Sequence, residues 1–166
     1  MRFIRLIIIS LVFFSIIITV ISLFIPSHVT ISRAVQIGNS RDAVIEELSD
    51  PSRWKDWYPA AKTADLYFEN GRLRGLILDE FKKRYIVINE VKESEVTAEY
   101  VLPSRRVKTG WRIAPSEGDR LVTVQRYMDF NLRWYPWEKF SSFMFERLYG
   151  PQLQQGLNNL KLLLEK

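Results

Sequence analysis

Two short strand-like stretches carry most of the chemical content of this 166-residue sequence. In the first, Val122, Val124, Met128, Phe130 and Leu132 share one face, with Arg126 among them. In the second, Leu73, Gly75 and Ile77 share a face with Asp79. If these faces turn inward, a guanidinium and a carboxylate enter an otherwise apolar lining. A few placed polar groups in an apolar wall is the make-up of a small-molecule pocket. The competing arrangement, the commoner one, runs the arginine to a rim or pairs it with a surface carboxylate, its stem packed on apolar neighbours. Tyr85, Asn89, Trp111 and Tyr127 are weaker candidates for the same lining.

Other chemistries find little support. His28 is the single histidine and there is no cysteine, so histidine or thiolate metal centres and thiol nucleophiles are not expected. Serine catalysis lacks a base, and no Gly-rich phosphate loop or G-x-S-x-G stretch is present. We therefore expect no catalytic residue, metal or cofactor, and the reading leans away from an enzyme. The net charge of +5 is mild. Basic clusters at Lys82, Lys83 and Arg84, and at Arg105, Arg106 and Lys108, come without a nucleic-acid-binding motif. Solvated strand ends or contact with anionic lipid headgroups explain them better.

Aromatic residues concentrate twice. "PSRWKDWYPAA", Pro51 to Ala61, holds Trp54, Trp57 and Tyr58, either as ordinary core or as the wall or lid of a site. "WYPWEKFSSFMF", Trp134 to Phe145, includes Phe143 and suits either the flank of a cavity or a bilayer interface.

These residues must be positioned by a chain with two parts. Leu6 to Ile25 has no charged residue, and its polar residues are four hydroxyls. Twenty helical residues span about 30 Å, the thickness of a bilayer core. A cleaved signal peptide would have a shorter apolar region and a small-residue cleavage site, which "SLFIPSH" lacks. Residues 1–25 are thus expected to be an uncleaved transmembrane anchor, and 26–166 one folded domain. Arg2 and Arg5 place the N-terminus in the cytoplasm and the domain on the extracytoplasmic, periplasmic side. Ser15, Thr19 and Ser22 share a helix face and are expected to bond back to their own helix carbonyls rather than to a second helix.

In the domain, "HVTISRAVQI" reads as a strand, and Asn39 with Asp42 as the start of a capped helix. Pro51 ends that helix, and a second short one holds Trp54 and Trp57. From Ala64 the period becomes two. Turns at Asn70-Gly71, Lys92–Ser94 and Pro115–Asp119 define six strands of an antiparallel meander. From Trp137 helical spacing returns: Phe140, Phe143, Met144 and Leu148, an interruption at Gly150-Pro151, then Leu153, Leu157, Leu160 and Leu164.

"VQIGNSRDAVIEELSDPSRWKDWYP", with Asp50, Pro51, Trp54, Trp57 and Pro59, and "YGPQLQQGLNNLKLLLEK", with Gly156 to Lys161, carry a resemblance. The chain resembles the START-like helix-grip superfamily, in its SRPBCC, polyketide cyclase/dehydrase-like group. The resemblance implies an α+β fold in which a curved antiparallel sheet of about seven strands wraps a long C-terminal helix. It also implies a cavity between them that takes an apolar or amphipathic, lipid-like small molecule. It places the Trp54–Trp57 helix at one cavity mouth. One fold hosts many functions. Two alternatives therefore stay open: a cyclase, dehydratase or hydrolase using a cavity Asp, Arg or Tyr, and a non-catalytic module whose cavity is filled by its own side chains. The expected partners are a hydrophobic ligand and the membrane, not nucleic acid.

Overall fold

The computed structural model describes residues 2–81, 83–115 and 121–166. An apolar helix, α1 (Arg2–Leu23), comes first. Its 22 residues extend about 33 Å, and Phe3–Leu23 is long and apolar enough to cross a membrane. Almost all of its large side chains are exposed. Thr19 Oγ1 donates to Ser15 O at 2.8 Å and Ser22 Oγ to Thr19 O at 2.7 Å, so these hydroxyls bond back to their own helix.

The domain begins with β1 (His28–Ile37), followed by α2 (Arg41–Ser49) and α3 (Trp54–Trp57). The cap of α2 is Ser40, not Asn39: Ser40 Oγ accepts from Ala43 N at 3.3 Å. Asn39 instead donates from Nδ2 to Leu164 O at 2.7 Å, fastening the end of the chain. Asp50 accepts from Ser52 N and opens a 3-10 turn, Pro51–Arg53, that leads straight into α3.

The meander follows as β2 (Asp65–Glu69), β3 (Arg72–Asp79), β4 (Arg84–Lys92), β5 (Glu95–Val101), β6 (Arg106–Pro115) and β7 (Val122–Asn131). All neighbours are antiparallel, in the order β1-β7-β6-β5-β4-β3-β2. Asn70 and Gly71 have φ of 52° and 74°, the left-handed pair a tight hairpin needs. The turn expected at Pro115–Asp119 falls mainly on residues outside those described. Register shifts at Tyr67/Phe68, Ile77/Asp79 and Ile88/Glu90 bend the sheet. At Gly75 a Cβ would lie 1.8 Å from Ile86 O, so only glycine permits this close strand approach.

The C-terminal part is α4 (Pro136–Ser141), a 3-10 turn at Ser142–Met144, and α5 (Phe145–Leu164). The interruption therefore lies at Ser142–Met144. Helix α5 runs unbroken through Gly150-Pro151, although a proline there removes one backbone bond. Gly150 lets a side chain pack close: a Cβ would come within 2.7 Å of the Arg33 guanidinium, which pairs with Glu146 on the preceding turn and would have to shift.

Helix α5 crosses the concave face and divides the interior. One half is filled by Ile37, Val44, Leu48, Trp54, Trp57, Trp111, Val124, Leu157 and Leu160. The other half, built on Ile31, Met128, Phe130, Phe145 and Leu153, is less completely filled.

Candidate functional site

The unfilled volume is a cavity of about 400 Å³. Its walls come from one end of the sheet: Leu78 and Asp79 end β3, Arg84 starts β4, Tyr100 ends β5 with Leu102 just beyond, Val107 starts β6, and Met128 and Phe130 lie near the end of β7. In an antiparallel sheet these ends coincide. β1 begins at the same end, because His28 pairs with Asn131. The cavity thus lies toward the end of the sheet at which β1 follows the junction with α1. Tyr149, Gln152 and Leu153 of α5 roof it, and Tyr58 and Ala60 close it beyond α3.

Arg126 forms the inner end, where cavity meets filled core. It sits opposite Trp111 in the β6–β7 register and is only 1% exposed. Its Nη2 donates to Tyr58 Oη at 3.0 Å and to Tyr100 Oη at 3.2 Å. The guanidinium carbon lies 4.5 Å from the Tyr58 ring centre and 5.1 Å from that of Trp111, favourable cation–π positions. Gly156 of α5 makes room for it: a Cβ there would lie 3.2 Å from Nη1. Nε and Nη1 are buried without a hydrogen-bond partner. No carboxylate among the described residues forms an ion pair with Arg126. The arginine therefore does not run to a rim or pair at the surface. It is a buried guanidinium at the inner end of a cavity that Asp79, Arg84 and Gln152 also line.

Local sequence explains how Tyr58 reaches it. Trp54 is anchored by Nε1 donating to Leu48 O at 3.1 Å, and Tyr58 N closes α3 by donating to Trp54 O at 2.7 Å. Pro59 then turns the chain away. Trp54, Trp57 and Trp111 interlock with ring centres 5.2–6.2 Å apart, which fixes the backbone that presents the Tyr58 hydroxyl.

Of the ten residues singled out from sequence, Tyr58, Asp79 and Arg126 meet at this cavity. Asp79 arrives by a route that strict alternation does not give. Leu76 and Leu78 face the interior, and the register shift at Ile77/Asp79 turns Asp79 to the rim. Trp54, Trp57 and Trp111 lie in the filled half, not at a mouth, because neighbouring rings occupy the space around them. Tyr85 packs on Tyr67 at 5.5 Å, on the face opposite buried Ile86 and Ile88, and Asn89 is exposed. Tyr127 lies on the opposite face of β7 from Arg126. Its hydroxyl donates to Glu95 at 3.0 Å and its ring lies 4.4 Å from the Arg112 guanidinium. Burial, then the bond to Glu95, pushes its pKa up to about 12. Phe143 is 69% exposed, on the surface beside α4.

Sequence reasoning missed Tyr100, Tyr149, Gln152 and Leu153 as lining residues. Tyr100 had a usable signal: Val96, Ala98 and Tyr100 alternate along β5, and the first two are buried. Among the described residues no cluster of His, Cys, Asp and Glu could hold a metal ion.

Residues 28–165 match the family model described as polyketide cyclase / dehydrase and lipid transport. No curated protein matches the chain. Solved structures do. A START superfamily protein from Mycobacterium smegmatis superposes with a TM-score of 0.61 at 16% identity, covering 82% of this chain and 97% of its own. The Zhui aromatase/cyclase of a Streptomyces strain gives 0.59 at 13% identity, covering 83% and 94%. An uncharacterised protein from Bacillus thuringiensis gives 0.61 at 12% identity, covering 83% and 100%. At these identities the structural likeness speaks to the fold, and the family model speaks to descent. The chain belongs to the polyketide cyclase/dehydrase and lipid transport family, on a START-like, SRPBCC helix-grip fold.

Proposed function

We propose that this domain binds a lipid-like, apolar or amphipathic small molecule in the cavity under α5, at a bilayer to which α1 anchors it. The observation that carries the reading is the cavity itself. About 400 Å³ of mostly apolar-lined space lies under the one helix that crosses the sheet. This falls within the ~300–1,000 Å³ typical of small-molecule sites. A ligand burying roughly 300 Å² of apolar surface there gains about 7.5 kcal/mol before the costs of association. The reading in which the domain fills its own cavity is at odds with this space.

The position of the cavity supports the membrane part. Lys139 of α4 is buried and donates from Nζ to Ile25 O and to Ser27 Oγ, both at 2.6 Å. Leu132 N donates to Ser27 O at 2.7 Å. The junction between α1 and the domain is therefore fastened at the end of the sheet toward which the cavity lies. Beside it, Phe24, Trp134, Trp137, Phe143 and Met144 are all more than half exposed. Continuity with α1 makes the bilayer interface the natural cover for this surface, since tryptophan favours that region. Arg2 and Arg5 before the span support an extracytoplasmic side for the domain.

A cyclase- or dehydratase-type reaction is the second reading, favoured by one observation. Arg126 with the Tyr58 and Tyr100 hydroxyls is a donor set able to stabilise an enolate oxygen.

Native mass spectrometry of the full chain released from detergent tests the binding proposal. A bound species of lipid mass is expected. Bare protein, together with no uptake of fluorescent fatty acid, would overturn it.

A further inference from the structure

Resting on the reading of the cavity as a small-molecule site, we infer that its ligand is a single-chain anionic amphiphile. The carboxylate is held by Arg126, Tyr58 and Tyr100. The tail lies along Met128 and Phe130 toward the junction with α1.

The chemistry begins with an imbalance. Arg126 is a permanent cation, 1% exposed, with Nε and Nη1 lacking any hydrogen-bond partner. A buried charge ordinarily has a counter-ion, because leaving water without one is costly. Its direct neighbours are two phenols and an indole, and the cavity lining adds Asp79, Arg84 and Gln152 to an otherwise apolar wall, with no ion pair between either charge and Arg126. A neutral ligand leaves the imbalance in place and a cationic one worsens it. A carboxylate cancels it, and its two oxygens match the fork of guanidinium donors. Both tyrosine oxygens already accept from Nη2, and among the described residues neither hydroxyl donates to protein. Their hydrogens are left to complete an anion site of three side chains from three elements.

The shape of the cavity sets the rest. Arg126, Met128 and Phe130 alternate along one face of β7 and line the same cavity. At ~3.3 Å per residue the run from Arg126 to Phe130 covers about 13 Å. It ends next to His28, just beyond the anchor. A volume of about 400 Å³ suits one flexible chain better than two. The ligand thus enters head first, and its tail trails toward the membrane side.

The test uses the full chain in nanodiscs of zwitterionic lipid. The probes are cis-parinaric acid and its methyl ester, read by energy transfer from tryptophan, Trp111 being the indole beside Arg126. The acid is expected to bind at least about tenfold tighter than the ester, the strength of a bond to a charged group. Arg126→Met should abolish the difference by weakening the acid down to the affinity of the ester, and Arg126→Lys should retain part of it. Equal binding of acid and ester to the wild type overturns this inference and leaves the small-molecule reading standing. An acid preference that survives Arg126→Met in a folded variant also overturns it. Binding of neither probe overturns the small-molecule reading, and this inference with it.

Discussion

At the scale of single residues, the proposed ligand role of Arg126 would come at the expense of stability. An unpaired buried cation is a poor stabiliser, and apolar replacements of buried ions are often neutral or favourable. Arg126→Met is therefore expected to leave stability unchanged or raise it, by up to about 2 kcal/mol, in thermal melts of the detergent-solubilised chain. A large loss would mean that the cation–π contacts with Tyr58 and Trp111 outweigh the desolvation cost. Tyr127, one residue along on the other face, shows the opposite design. Its hydroxyl has a carboxylate acceptor, and its pKa is raised to about 12. A raised pKa means that folding favours the protonated phenol, so the contribution is complete below about pH 10, the unfolded value. It is then lost as pH climbs toward 12. Phenolate absorbance should show one late-titrating tyrosine in the folded protein, absent in Tyr127→Phe. What sequence could reveal differs between these two residues. Arg126 was visible as a charge on an apolar face. Its lack of a counter-ion was not, because that depends on which carboxylates the fold keeps away. Tyr127 looks like a cavity candidate in sequence, but Arg126, Met128 and Phe130 line the cavity and alternation along β7 puts Tyr127 on the other face.

At the scale of elements, local signals carried well. The Asn70-Gly71 turn, the period-two strands and the leucine stripe of α5 are each written in neighbouring residues. The helix break was misplaced because Gly150-Pro151 looks like punctuation. Its glycine serves a contact with Arg33 from β1, far off in sequence. Asp79 was misassigned to a face for a related reason: a register shift in β3 is a property of the pairing and not of one strand. Among the elements, α3 bears the heaviest structural role for its length. Trp54 is fully buried, hydrogen-bonded to α2 and in ring contact with Trp57, Tyr58 and Trp111. Trp54→Ala should cost about 3–5 kcal/mol in chemical denaturation, and the anion site should fail with it because Tyr58 loses its support. Helix α4 makes a prediction of a different kind. If it lies in the bilayer interface, brominated lipids should quench Trp134 and Trp137, which are 62% and 69% exposed. Lys139→Met, which severs the tie to Ile25 and Ser27, should weaken that quenching without unfolding the sheet. Quenching unaltered by the substitution would show that the aromatic surface holds its place without the latch.

At the scale of the whole molecule, the arrangement has one direction. The filled half of the domain lies away from α1, and the half with the cavity lies toward it. The apolar α1, the lysine latch, the exposed aromatics and the cavity all lie at or toward that one end. The family match extends over residues 28–165 and leaves α1 outside it. On the proposed reading α1 adds location to a domain that otherwise matches the family. The measurement that bears most directly on this account is photo-crosslinking. A fatty acid carrying a diazirine on its tail would be activated in bilayers holding the full chain, and the labelled peptides mapped. Labels on Met128, Phe130, Tyr149 and Leu153, inside the cavity, are the result the account predicts. Labels confined to α1 and the exposed face of α4 would contradict it, since they would show a tail that meets the protein only from the bilayer.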